Sequence, residues 1–106
     1  MTIYRQGDVL IVSVDFIPKT VEPVARDKGR VVLAYGEVTG HAHAIKSPKA
    51  ALFRDSKLAA IFMHVTGDDT VALEHEEHAT INIPPGAWEI RHQREYHPEA
   101  LHRVAD

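Results

Sequence analysis

Ala79-Thr80-Ile81-Asn82-Ile83-Pro84-Pro85-Gly86-Ala87-Trp88-Glu89-Ile90-Arg91-His92 holds two alternating runs either side of a proline-proline-glycine turn. In the first run Ile81 and Ile83 alternate with Thr80 and Asn82. In the second, Trp88, Ile90 and His92 share one face, and Glu89, Arg91 and Gln93 the other. A period of two is the signature of a strand half buried against a core, because successive side chains point to opposite faces. The two prolines close off any helix through the stretch. This part of the chain is therefore β.

The rest of the chain extends that reading. Asp8–Val14 and Arg30–Tyr35 are short runs rich in β-branched residues, punctuated by glycine and proline. His41–Lys46, Ala50–Arg54, Leu58–Val65 and Thr70–His75 supply further strands. A helix over 47–60 is the competing reading, because the stretch holds several alanines and lysines; Ile61, Phe62 and Val65 weigh towards strand. Thr66-Gly67-Asp68-Asp69 has hairpin-turn composition. Residues 16–29 carry Pro18 and Pro23 among mixed charges and read as a long loop; 97–106 read as a polar tail. About eight short strands with no convincing long helix predict an all-β barrel or sandwich, cupin-like or jelly-roll-like.

A chain of 106 residues is expected to form one domain. Its 44% hydrophobic and 25% charged content is that of an ordinary globular protein. A net charge of −3 argues against a nucleic-acid module that relies on a basic surface, without excluding a local basic patch. The absence of cysteine removes disulfides, thiolate zinc sites and a cysteine nucleophile. No stretch has the apolar length to span a bilayer and no signal-peptide run opens the chain, so no membrane association is expected and the cytoplasm is the default compartment.

Eight histidines are the unusual feature. Gly36-Glu37-Val38-Thr39-Gly40-His41-Ala42-His43 places two imidazoles two residues apart, on one face of a strand. His75-Glu76-Glu77-His78 follows later. It lacks the i, i+4 spacing of a zincin helix, which excludes that metalloprotease motif. On a regular strand His75 and His78 would face opposite sides, so a bulge or tight bend at Glu76-Glu77 is needed to turn both inward. His41, His43, His75 and His78 are the candidate ligands of a divalent transition metal. Nitrogen and carboxylate donors suit Zn, Fe, Mn or Ni. Glu77 and His92 are candidates for an additional ligand or an acid–base group. Arg91 and Arg94 are candidates for contact with an anion.

Gly36, His41-x-His43 and the later Pro84-Pro85-Gly86 together resemble the cupin superfamily. The resemblance implies a small β-barrel holding a metal through His41, His43 and a later histidine, here His92. The chain departs from the pattern in lacking a glutamate at the expected distance after His43. Through Gln6-Gly7-Asp8, Gly36–His43, the His75–His78 run and Gln93-Arg94-Glu95-Tyr96, the chain also resembles a set of short bacterial proteins of unassigned function.

Three functions compete. The first is a metal-binding β-barrel protein or metal-dependent enzyme acting on a small-molecule ligand, with an open coordination position that activates water or O₂. The second is a non-catalytic interaction module that binds through a sheet edge. The third is a metal-free nuclease or phosphodiesterase with histidines as acid and base and Arg91 or Arg94 stabilising the phosphorane. Small barrels often pair, so a homodimer is the expected assembly.

Overall fold

The computed structural model describes residues 1–93. Ten strands form two antiparallel sheets. They are β1 (Ile3–Gln6), β2 (Val9–Ser13), β3 (Glu22–Pro23), β4 (Val31–Tyr35), β5 (Ala42–Ile45), β6 (Ala50–Asp55), β7 (Ala60–Val65), β8 (Val71–His75), β9 (His78–Ile83) and β10 (Gly86–His92). The larger sheet runs β1-β2-β10-β7-β6-β3 and the smaller β4-β5-β8-β9. The all-β expectation holds, as a sandwich and not a closed barrel. The two strands beyond the expected eight are β1 and the two-residue β3, which lies in the 16–29 stretch read as loop. The polar tail read over 97–106 lies outside the described residues. Among the described residues no helix is long and apolar enough to cross a membrane.

The alternation in β9 and β10 sets the core. Ile11, Ile90, Ile61 and Arg54 pair in one row across β2, β10, β7 and β6. Directly paired residues of an antiparallel sheet share a face, so the row points the same way throughout. Ile11 and Ile90 are buried. From the smaller sheet, Ile45, Leu73 and Ile83 belong to the same core cluster. At about 25 cal/mol per Å² this burial is the main force joining the sheets.

Two turns differ from their sequence reading. Thr66–Asp69 is not a hairpin: β7 pairs with β6 and β10, while β8 pairs with β5 and β9, so the segment crosses between sheets. Pro84-Pro85 does the same between β9 and β10, and the Trp88 indole N–H donates to the Pro84 carbonyl at 3.1 Å. Turn composition marks a change of direction; the sheet the chain next enters is set by burial of the following strand.

The sandwich is fastened along one side and open along the other. The buried Gln6 amide donates to the Leu73 carbonyl at 2.9 Å and the Ala79 carbonyl at 3.0 Å, tying β1 to the β8–β9 hairpin. Arg26 pins the 24–30 segment down by donating to the carbonyls of Gly29, Lys46, Ser47 and Ala50. Between β4 and the β6–β7–β10 face a cleft of about 660 Å³ remains.

Candidate functional site

Five histidines converge at one end of the sandwich. His41 precedes β5, His43 lies in it, His75 and His78 flank the β8–β9 turn, and His92 ends β10. All five line one cleft of about 380 Å³. His75 is the hub: its ring centroid lies 4.3 Å from that of His43, 4.7 Å from His78 and 5.8 Å from His41.

The β8–β9 hairpin explains the i, i+3 spacing. His75 and His78 are paired residues flanking a two-residue turn, so they share a face. The register slips between Leu73 and His75, the irregularity that a strand with both histidines turned inward demands.

Hydrogen bonds assign the protons. The Gln6 Nε2 group donates to two carbonyls, so its Oε1 is the atom facing His43 Nδ1 at 2.9 Å. Nδ1 of His43 must then carry the proton, and Nε2 presents a lone pair. Glu77 Oε2 lies 3.0 Å from His41 Nδ1 and imposes the same tautomer. His75 is the opposite case. Its Nδ1 accepts the Glu77 backbone N–H at 3.0 Å, so in the neutral ring Nε2 carries the hydrogen.

Burial, followed by the neighbouring His75, His78 and His92, pushes the His43 imidazole down to about 4. His43 is therefore neutral at neutral pH. Glu76 Oε1 accepts the Ala42 N–H at 2.9 Å, and that bond is the main reason its carboxyl sits below the usual range. Donor atoms of His41, His75 and Glu76 all lie within 4.8 Å of one another. This is a set a cation could gather with modest adjustment.

Gly7, at φ +57°, forms the back wall. A Cβ there would lie 2.8 Å from His78 Nε2 and 3.3 Å from His43 Cε1, so the two rings occupy the space a side chain would take. Gly36 supports His41 in the same way, with a virtual Cβ 2.9 Å from the His41 Cβ.

A family model described as a domain of unknown function, DUF8820, matches residues 5–93. The chain belongs to the DUF8820 family. No curated protein and no solved structure matches it. The matched stretch contains Gln6, Gly7 and all five clustered histidines of this DUF8820 domain. It carries no activity with it. The short-protein resemblance fits this membership, and no cupin family model matches the chain.

Of the predicted site residues, the DUF8820 domain brings His41, His43, His75 and His78 together, with His92 lining the same cleft. Glu77 sits behind His41 as its hydrogen-bond partner, and Glu76 is the carboxylate within reach of the imidazole donors. Arg91 donates to Glu89 at 2.8 Å and lines neither the histidine cleft nor the larger one. Arg94 lies outside the described residues. Sequence reasoning missed Gln6 as the group orienting His43; its only local signal is a glutamine beside a turn glycine.

Proposed function

We propose that this domain is a divalent-metal-binding protein, with His41, His75 and Glu76 as the central donors and His43 the next imidazole available. The observation that supports the reading is the 4.8 Å convergence of donors from two distant segments. The Glu77 carboxylate on His41 and the Gln6 amide on His43 are the outer partners that ligating histidines usually have. Zn, Fe, Mn and Ni all suit nitrogen donors with one carboxylate. The cupin resemblance adds His92, which faces the same cleft, as a further donor. A bound ion with an open position would activate water or a small ligand there.

Calorimetric titration of the untagged, chelator-treated chain with each of the four ions tests this. One ion per chain is expected for at least one metal. His41→Ala and His75→Ala should abolish uptake, while His64→Ala, on an exposed position of β7, should not. No stoichiometric uptake of any of the four would end the reading.

A second reading has its own observation. As the hydrogen bonds stand, His75 offers an N–H and His43 a lone pair, with ring centroids 4.3 Å apart. With His43 as base and His75, once it has taken up a proton, as acid, they would make a metal-free pair of the kind a phosphodiesterase uses. Cleavage of a phosphodiester that survives chelator and disappears in His43→Ala would favour it.

A further inference from the structure

The larger cleft contains a residue that the core pattern does not explain. Arg54 is the exposed end of the row formed with Ile61, Ile90 and Ile11, on the face that elsewhere supplies core side chains. Arg54 lines the 660 Å³ cleft. Among the described residues no hydrogen bond or ion pair reaches its guanidinium, and Glu22, its partner across β3 and β6, makes no ion pair with it.

The acidic groups of the same cleft are each engaged. Asp27 accepts the Tyr35 hydroxyl at 2.5 Å. Asp55 accepts the Thr20 hydroxyl and the amides of Lys57 and Leu58. Glu89 accepts from Arg91. Asp27 and Asp55 are thus satisfied by neutral donors and Glu89 by Arg91, which leaves Arg54 as the guanidinium of the cleft with no partner among the described residues, beside the apolar Leu33, Leu52, Ile61 and Ile90. A planar guanidinium beside apolar side chains is suited to a carboxylate, phosphate or sulfonate carried on an apolar body. The volume falls in the range of small-molecule sites.

The two clefts share Tyr35 and His92 as wall residues. A molecule anchored at Arg54 and lying along the apolar residues therefore leads towards the imidazoles. We propose that the larger cleft binds an amphipathic organic anion, its acidic group on Arg54 and its far end at the histidine cluster. The placement of the far end rests on the functional reading above; the binding itself does not.

Two probes test it: 8-anilinonaphthalene-1-sulfonate, and N-phenyl-1-naphthylamine, which has the same rings without the sulfonate. Both should bind the wild-type chain, followed by fluorescence. Arg54→Gln should weaken the sulfonate by about tenfold or more and the neutral probe by less than about twofold. Ile61→Trp, which fills the cleft, should weaken both. Equal losses for both probes in Arg54→Gln, or no loss for the sulfonate, would overturn the proposal. A measurement on the unmodified chain guards against a variant that fails to fold. Nuclear Overhauser contacts from bound sulfonate to the Ile61 and Ile90 methyls are expected, and their absence overturns it equally. A wild-type chain that takes up no metal yet binds both probes with the Arg54 dependence above condemns only the functional reading.

Discussion

Gln6 is the residue whose replacement reads out the site most directly. Its side chain makes three hydrogen bonds from a nearly solvent-free position: two donated to the β8–β9 hairpin and one accepted from His43. Gln6→Met keeps the approximate volume and removes all three. Each bond contributes about 0.5–1.5 kcal/mol net, and a buried N–H left unpaired on His43 costs about 1–3 kcal/mol. A loss of about 3 kcal/mol follows, or a fall of roughly 1–2 M in urea midpoint at the denaturant slope of a small domain. Gln6→Glu separates the bonds. The carboxylate still accepts from His43 but has no proton for the Leu73 and Ala79 carbonyls. The loss should be largest at pH 8 and shrink towards pH 5, where a protonated carboxyl can donate again and an ionised one can pair with an imidazolium. Ring-nitrogen NMR on the same variants reports the His43 tautomer, expected as Nδ1–H in wild type and mixed in Gln6→Met. A Gln6→Met loss below about 1 kcal/mol, or Gln6→Glu as stable as wild type at pH 8, would refute the amide clamp.

Gly7→Ala and Gly40→Ala both place alanine at positive φ, at +57° and +89°, but only the first meets neighbours within 4 Å. Both should lose about 1–2 kcal/mol in urea, whereas only Gly7→Ala should shift the His43 and His78 ring resonances. His43 ionises in the folded chain at about 4, below the ordinary 6.5, so the unfolded chain takes up more protons between those values. Stability of the metal-free chain should be full above pH 6.5 and fall by about 1–2 kcal/mol on approach to pH 4, discounted for partial solvent screening, and His43→Phe should flatten that slope in pH-dependent urea titrations. Arg26→Met removes the guanidinium from four carbonyls that hold the 24–30 segment. A loss of about 2 kcal/mol and faster amide exchange at Val24 and Arg30 are expected.

Eight strands were legible because alternation is a local property that burial later enforces. β1 and β3 were not. Ile3-Tyr4-Arg5-Gln6 ends in a polar residue whose burial depends on carbonyls 67 and 73 residues away. Glu22-Pro23 is too short to show any period and is held by pairing with Phe53 and Arg54. The convergence of the histidines was legible because their side chains follow strand geometry: two apart at the entry to β5, with His41 just before the strand and His43 in it, and paired across a two-residue turn in the β8–β9 hairpin. The division of labour between Glu76 and Glu77 was not. It is decided by the Ala42 N–H and the His41 ring, which belong to a neighbouring strand and the loop before it.

Both readings of the site turn on one hydrogen bond. While the Glu77 N–H occupies His75 Nδ1, neither ring nitrogen can serve as a neutral ligand: one lone pair is taken and the other nitrogen is protonated. A cation must therefore displace that bond. The cost is about 1 kcal/mol, small beside the roughly 8 kcal/mol of a micromolar complex, so the bond delays metal binding energetically without forbidding it. An acid–base role also ends that bond, because the imidazolium that would act as acid carries hydrogen on both nitrogens; while the bond lasts, Nε2–H is a hydrogen-bond donor and not an acid. The turn Glu76-Glu77 thus holds both functions in one place: its carboxylates supply a ligand and an orienting partner, while its backbone holds the hub imidazole in the tautomer that a metal would have to undo.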